Sequence, residues 1–305
     1  MSQKNKSHLL NKLWCNAHLL LILAALFWAG HAIVLRMSVG EISPILLMEL
    51  RWLCSFLILA TIFRGKILSY LDQAVKNWRW IMIMGGVGLA GFTILLVYAA
   101  QYTTAMNLGI MQAAMPAFVL IFGFLFFSNS INARQCLGFF VSLLGVVVLI
   151  SEGQLKILLK LSFNLGDLIM LAACFCYSGY TVHLSKKIDI PPMILLCFFS
   201  FCALVTCSIF AVIEYSRGLT VYPDFGGVIL VAYCAIFPSI LSQTFFIRGV
   251  QIVGASRAGF YVNLVPVFSA FLAIIILSET MYLYHILALG GVILGIFLSD
   301  NEAKK

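Results

Sequence analysis

What this 305-residue chain lacks above all is charge. Only 10% of its residues are Asp, Glu, Lys or Arg, against about a quarter in soluble domains, and 63% are hydrophobic. That balance excludes a soluble globule. No polar stretch is long enough for a separate soluble domain: the polar segments are the first dozen residues, 64–77, 151–164, 214–225 and the last five. Acids are scarcest where chemistry would need them. Glu49 alone lies deep in an apolar stretch, so no carboxylate pair is available for acid–base work. There is no Gly-x-Ser-x-Gly, no His-Glu-x-x-His and no phosphate loop with Gly-Lys-Ser/Thr. His183 and Asp189 approach the His-x4-Asp pattern of membrane acyltransferases but have five residues between them, beside Lys186 and Lys187 of a basic loop. These absences argue against an enzyme and against an ATP-driven pump.

Zinc-ligand spacing is also missing. Of nine cysteines, Cys54, Cys174, Cys176, Cys197, Cys202, Cys207 and Cys234 fall inside apolar stretches, where Cys acts as a small hydrophobe. Neither a metal, a cofactor nor a disulfide framework is expected. The net charge of +8 does not point to nucleic acid, because the basic residues sit in short connections between apolar runs. Lys4, Lys6 and Lys12 ahead of Leu19–Phe27 resemble a signal peptide. The apolar run continues to Leu35, however, so it reads as a retained first membrane helix.

A bilayer core takes about 20 apolar residues per helix. The expected spans are 18–36, 44–63, 79–99, 105–127, 134–151, 165–184, 192–213, 226–248, 257–277 and 283–299, an all-α polytopic membrane protein with ten transmembrane helices. Ser43-Pro44 and Pro191-Pro192 supply helix-start chemistry. With the N-terminus in the cytoplasm, fourteen Lys and Arg face inward. Only Arg36, Lys156, Lys160 and Arg217 face outward, and Arg51 is left inside a span. Both termini are therefore expected in the cytoplasm.

The chain also repeats itself. Ala105, Gly109, Pro116, Phe118 and Ser128 recur 150 positions on as Ala255, Gly259, Pro266, Phe268 and Ser278, and Leu137, Leu144 and Gly145 as Leu287, Leu294 and Gly295. Five spans per half is an odd number, so the second half is expected upside down, giving two inverted five-helix repeats at 18–151 and 165–299. Charge agrees: Arg257 and Arg248 replace Asn107 and Tyr98, whereas Tyr284 replaces Arg134. Each Arg lies on whichever copy faces the cytoplasm.

Ionisable residues in spans usually face a protein interior or wet cavity, since charge there costs at least about 2.5–3.5 kcal/mol. Glu49 and Arg51 lie about 200° apart on a helix, so they cannot share a face. One of them is expected to line a central cavity with His31; the alternative is that Arg51 ties helix ends while Glu49 neutralises it or snorkels. Pro116 and Pro266 are expected to kink their spans near mid-membrane, with Gln112 and Asn263 within a turn of them to contact substrate or to bond between helices. Trp28, Tyr98, Tyr180 and Tyr261 are aromatic candidates for the cavity wall. Gly85, Gly86, Gly88 and Gly91 thin the third span, and Gly291 and Gly295 form Gly-x-x-x-Gly, read as internal packing in preference to dimerisation.

Several runs resemble the EamA type of the drug/metabolite transporter superfamily: Phe27-Trp28-Ala29-Gly30-His31, Gly40-Glu41-Ile42-Ser43-Pro44, Leu50-Arg51-Trp52, Gly166-Asp167-Leu168, Tyr177-Ser178-Gly179-Tyr180-Thr181-Val182 and Ala235-Ile236-Phe237-Pro238-Ser239. The longest runs from Val253 through Asn263-Leu264-Val265-Pro266 to Glu279, and the whole covers about residues 18–299. The resemblance implies two inverted five-helix domains around a central cavity and transport of a metabolite or drug-like solute across the bacterial inner membrane. The chain departs from the family pattern at Asn129, Met48-Glu49 and His31. The expectation is a secondary transporter of a small organic metabolite, a monomer or homodimer in the lipid bilayer. An amino acid or related zwitterion ranks first, and proton-coupled export is one form. The substrate contacts expected are Trp28, His31, Glu49, Arg51, Tyr98, Gln112, Tyr180 and Asn263. The alternative is a facilitator or flippase-like carrier of a hydrophobic or lipid-linked solute.

Overall fold

The computed structural model describes residues 14–159, 162–186, 188–276 and 278–300. Lys4, Lys6, Lys12, Lys160, Lys187, Lys304 and Lys305 of the charge argument lie outside the described residues. Among the described residues, ten helices are long and apolar enough to cross a membrane. In chain order they are α1 (Ala17–Met37), α2 (Pro44–Lys76), α3 (Trp78–Ala99), α4 (Asn107–Phe127), α5 (Ala133–Ile150), α6 (Leu165–His183), α7 (Pro192–Ser216), α8 (Phe225–Val253), α9 (Ala255–Ile276) and α10 (Leu283–Asp300). Starts follow local chemistry. Asn132 and Asn164 close capping boxes with Gln135 and Asp167, and Asp224 accepts from the Gly227 N–H at 2.9 Å. Two expected boundaries are corrected. Segment 64–77 is not a loop: α2 bends at Phe63 (φ −107°, ψ 16°) and continues helically to Lys76, because Ile67, Tyr70 and buried Ala74 recur on the side facing the core. Helix α8 also runs past Arg248 to Val253.

The repeat is visible in three dimensions. Helices α5 and α10 occupy positions 150 residues apart, and so do Ser128 and Ser278, each a left-handed residue at the end of its span (φ 53° and 57°). Helix α1 packs on α8 and α9, as α6 packs on α3 and α4; α2 meets α7, α4 meets α9, and α5 meets α10. Two equivalent bundles thus face each other, joined where α2, α4 and α5 meet their own counterparts.

The α5–α10 contact fixes the relation between the halves. A Cβ on Gly138 would lie 2.6 Å from the Gly295 carbonyl oxygen, and one on Gly145 2.9 Å from that of Ala288. Residue numbers rise on α5 as they fall on α10, so the helices are antiparallel. Shifting each partner by 150 exchanges the two contacts, which is the signature of a two-fold axis relating inverted repeats. In lipid there is no hydrophobic drive between helices, so backbone-to-backbone approach through small residues supplies the attraction. The Gly291/Gly295 motif is spent on this internal contact.

Gly295→Val is expected to destabilise the fold by about 1–3 kcal/mol through overpacking against Gly138 and Ser142. Gly290→Val, with nothing within 4 Å of its Cβ position, is the neutral control. Thermal unfolding in detergent reads both; equal melting temperatures would refute the glycine contact.

Candidate functional site

Four spans depart from regular α-helix where the bundles face each other. Helix α3 is π-helical over Ile83–Gly91 and α8 over Ala235–Leu241, so Gly85–Gly91 and Ala235–Leu241 again correspond at an offset of 150. Helix α4 breaks at Ala113–Ala114, two residues before Pro116, and α9 passes through a 3₁₀ turn at Tyr261–Asn263, three before Pro266. A proline withholds one N–H and crowds the preceding turn, which accounts for both interruptions. A π-turn inserts an extra residue and misaligns carbonyls, and these must find donors where no water reaches. They do: Ser239 donates to Cys234 O at 2.8 Å, Ser55 to Ala235 O at 3.0 Å and the Trp28 indole to Pro238 O at 3.2 Å. Near the α4 break, Met111 O and Met115 O receive the Cys174 thiol (3.4 Å) and Ser178 hydroxyl (3.3 Å). The glycines of α3 let α6 and α7 close in, Gly88 against Tyr180 and Gly86 against Thr206.

Between the bundles lies a cavity of about 750 Å³, its mouth included, walled by α1, α2, α3, α4, α6, α8 and α9. Trp28, His31 and Leu35 face it from one side of α1, as their helical spacing requires. Arg51 and Trp52 enter from α2, Gln112 and Met115 flank the break in α4, and Tyr177 and Gln243 come from α6 and α8. The lining extends toward the end holding Leu35 and Leu96. At the opposite end α4 closes on α9, where a Cβ on Gly259 would lie 3.2 Å from the Val119 side chain.

Arg51 dominates the electrostatics. It is 4% exposed, its Nη1 lies 2.8 Å from His31 Nε2, and its guanidinium carbon sits 4.8 Å from the Trp52 ring centre. A guanidinium only donates, so His31 Nε2 must be the acceptor and the ring proton belongs on Nδ1, which faces Cys234 Sγ at 3.3 Å. Three polar groups at the site, the Arg51 Nε–H, the Trp52 indole N–H and the Tyr177 hydroxyl, are buried without a hydrogen bond of acceptable geometry.

The structure brings Trp28, His31, Arg51 and Gln112 together and sets the other four sequence candidates apart. Glu49 turns away toward α7, accepting from Ser208 at 2.8 Å in a separate cleft with Glu214, because it lies on the other side of α2 from Arg51. Tyr98 stacks edge-on with Phe210. Tyr180 lies behind the wall and donates to Gln243 at 3.2 Å. Asn263 bonds to Ser142 of α5 at 2.9 Å, a link between helices. Tyr261 pairs with His18. Tyr177, Gln243, Phe92 and Thr93 line the cavity without having been singled out. The run Ser242-Gln243-Thr244, polar in mid-span, was the available signal for Gln243; nothing comparable marks Phe92.

Comparison with known proteins covers most of the chain. The EamA-like transporter family matches residues 16–151 and again 164–299. An uncharacterized transporter of Archaeoglobus fulgidus is 29% identical over 294 residues, covering 93% of this chain and 97% of that protein. The uncharacterized transporter YyaM of Bacillus subtilis is 23% identical over 76% of each chain. The uncharacterized inner membrane transporter YedA of Escherichia coli K12 is 24% identical over 90% of this chain and 87% of its own. A solved crystal structure superposes with a TM-score of 0.78 at 19% identity over 92% of this chain and 95% of that one, which bears on the fold alone.

In a background lacking the native cysteines, Gln112→Cys is expected to react with a small water-soluble thiol reagent while Asn263→Cys resists it. Labelling of both at the same rate would contradict the assignment of Gln112 to the cavity and Asn263 to the helix contact.

Proposed function

The chain belongs to the EamA-like transporter family, and from that premise we propose a secondary transporter that carries a small organic metabolite across the bacterial inner membrane by alternating access. The observation that carries this reading is the cavity itself, walled by spans from both halves and lying where α3, α4, α8 and α9 all leave regular helix. In transporters with inverted repeats, substrate sits at such a repeat interface beside discontinuous helices. The inner membrane transporter among the relatives supports the location. The excess of Lys and Arg in alternate connections supports cytoplasmic termini, with the closed end of the cavity facing the cytoplasm.

The symmetry supplies a mechanism. Val119 on Gly259 closes one end; the counterparts of that pair at an offset of 150 are Ser269 and Gly109, at the other end. Here Ser269 donates to Ala29 O at 3.4 Å and Gly109 abuts Ile150 instead. Rocking the bundles exchanges the pairs: Val119 and Gly259 part while Ser269 and Gly109 close, and the cavity opens to the opposite side.

From the sequence, an amino acid or other zwitterion ranks first, because Arg51 would take a carboxylate and Glu49 an amine. With Arg51 in the cavity and Glu49 in its own cleft, the carboxylate half of that reading keeps its support and the amine half does not. Proton coupling, as part of the same proposal, runs through His31. Its protonation ends the bond from Arg51 and sets a second positive charge beside the guanidinium. A facilitator or flippase-like carrier of a hydrophobic or lipid-linked solute is the second reading, favoured by the mainly apolar wall of Trp28, Leu35, Leu89, Phe92 and Leu96.

Reconstituted protein is expected to carry solutes from a panel of amino acids and other small carboxylate metabolites, tested with and without a pH gradient. No flux for any of them in either condition overturns the transport reading. The pH dependence of flux is expected to disappear in His31→Gln and to persist in Glu49→Gln; the reverse pattern would assign the proton to Glu49.

A further inference from the structure

Among the described residues the central cavity holds one fixed charge, and no group neutralises it. No carboxylate of the described residues lines the cavity. The ion pairs among the described residues lie elsewhere, at His18–Asp300, Arg36–Glu279 and Arg257–Asp300. The ionisable neighbours of Arg51 are Cys234, Cys207 and Tyr177, types that ordinarily carry no charge at neutral pH. His31 takes one Nη1 hydrogen but cannot balance the charge, because it accepts as a neutral ring. Of the five guanidinium N–H donors, the Nε–H is buried without a partner. A buried cation without a counter-charge is costly and is usually paired or set against a ligand. Glu49, two residues away, is bonded to Ser208 on α7 and offers nothing to the cavity.

We propose that the transported solute brings the missing charge: an organic anion, a carboxylate or phosphate monoester, seated on Arg51. Its apolar body rests against the aromatic wall of Trp28, Phe92 and Tyr177. The proposal rests on the reading of this cavity as the transport site and narrows it to a class. The planar guanidinium fork suits the two oxygens of such a head group, and it lies over the Trp52 ring. His31 is a positioning residue: by accepting at Nε2 it holds the fork in the cavity. A free amine meets no acid here and is repelled by Arg51, so a simple anion is preferred over both a cation and a zwitterion.

The test uses full-length protein and probes that share one ring: phenylacetate and phenyl phosphate as anions, phenylacetamide as the neutral isostere, phenethylamine as the cation. Binding to purified protein is measured by calorimetry, and flux in proteoliposomes. At least one anion is expected to bind about 10–100-fold more tightly than the amide, the range of a charge-assisted hydrogen bond, with the amine weakest. In Arg51→Gln the anion and amide should bind alike. His31→Gln, whose amide oxygen accepts from Arg51, should keep the preference that His31→Leu narrows. If Arg51→Gln does not fold, the wild-type ranking decides alone. Equal binding of amide and anion, preference for the amine, or no response to either anion overturns the proposal. Competition by a micellar phosphatidic acid but not by phenylacetate assigns the anion to a lipid; the opposite assigns it to a soluble metabolite. Anion preference without flux of any probe refutes transport and keeps the anion site. Flux without anion preference refutes the anion class and keeps transport.

Discussion

The close antiparallel approach of α5 and α10 is the contact on which the rest of the molecule depends. Gly138 and Gly145 bring the backbone of one half against that of the other, and only residues without side chains permit it. Because the contact maps onto itself when the halves are exchanged, it holds them in two-fold relation. That relation dictates which helices become neighbours: α1 with α8 and α9 on one side, α6 with α3 and α4 on the other. The cavity is what remains between two such bundles that are joined along α2–α7 and α4–α9.

A second constraint shapes the inside. Backbone groups in a membrane core must be satisfied within the protein, so irregular helix is tolerated only where donors have been supplied. Prolines and glycines at symmetric positions loosen α3, α4, α8 and α9. Ser55, Ser178, Ser239 and Trp28 then supply donors near the loosened turns. Trp28 serves twice, since its indole N–H ties α1 to the π-turn of α8 while its ring faces the cavity. The working region and the deviations from ideal geometry therefore coincide for one physical reason. Arg51 adds the opposite kind of feature, a charge left unbalanced in an apolar setting, with His31 orienting it.

The symmetry is not complete, and its departures lie at the two ends of the cavity and along its wall. Val119 closes on Gly259 at one end while the corresponding segments at the other end engage different neighbours. Polar residues differ as well: Gln112 faces the cavity from α4, whereas Asn263, close to the same place in the other copy, is turned to Ser142. One copy of the repeat lends its amide to the cavity wall and the other lends it to the scaffold.

Much of this was legible in the sequence. Apolar run length gave ten spans, and a repeat at an offset of 150 with Arg257 against Asn107 and Arg134 against Tyr284 gave two inverted halves. The duplicated prolines marked where two spans would be interrupted. These features are properties of single segments and of their order, so composition and periodicity determine them. What only the tertiary structure decided was rotation and partner. Helical spacing said that Glu49 and Arg51 face apart, but not which of them faces the cavity. The packing of α2 on α7 sends Glu49 to Ser208 and Arg51 to the cavity. The same holds for Tyr177 over Tyr180 and Gln112 over Asn263. A span that is apolar on every side carries almost no amphipathic signal to fix its rotation. That angle is set by the glycines, hydroxyls and rings of the helices beside it.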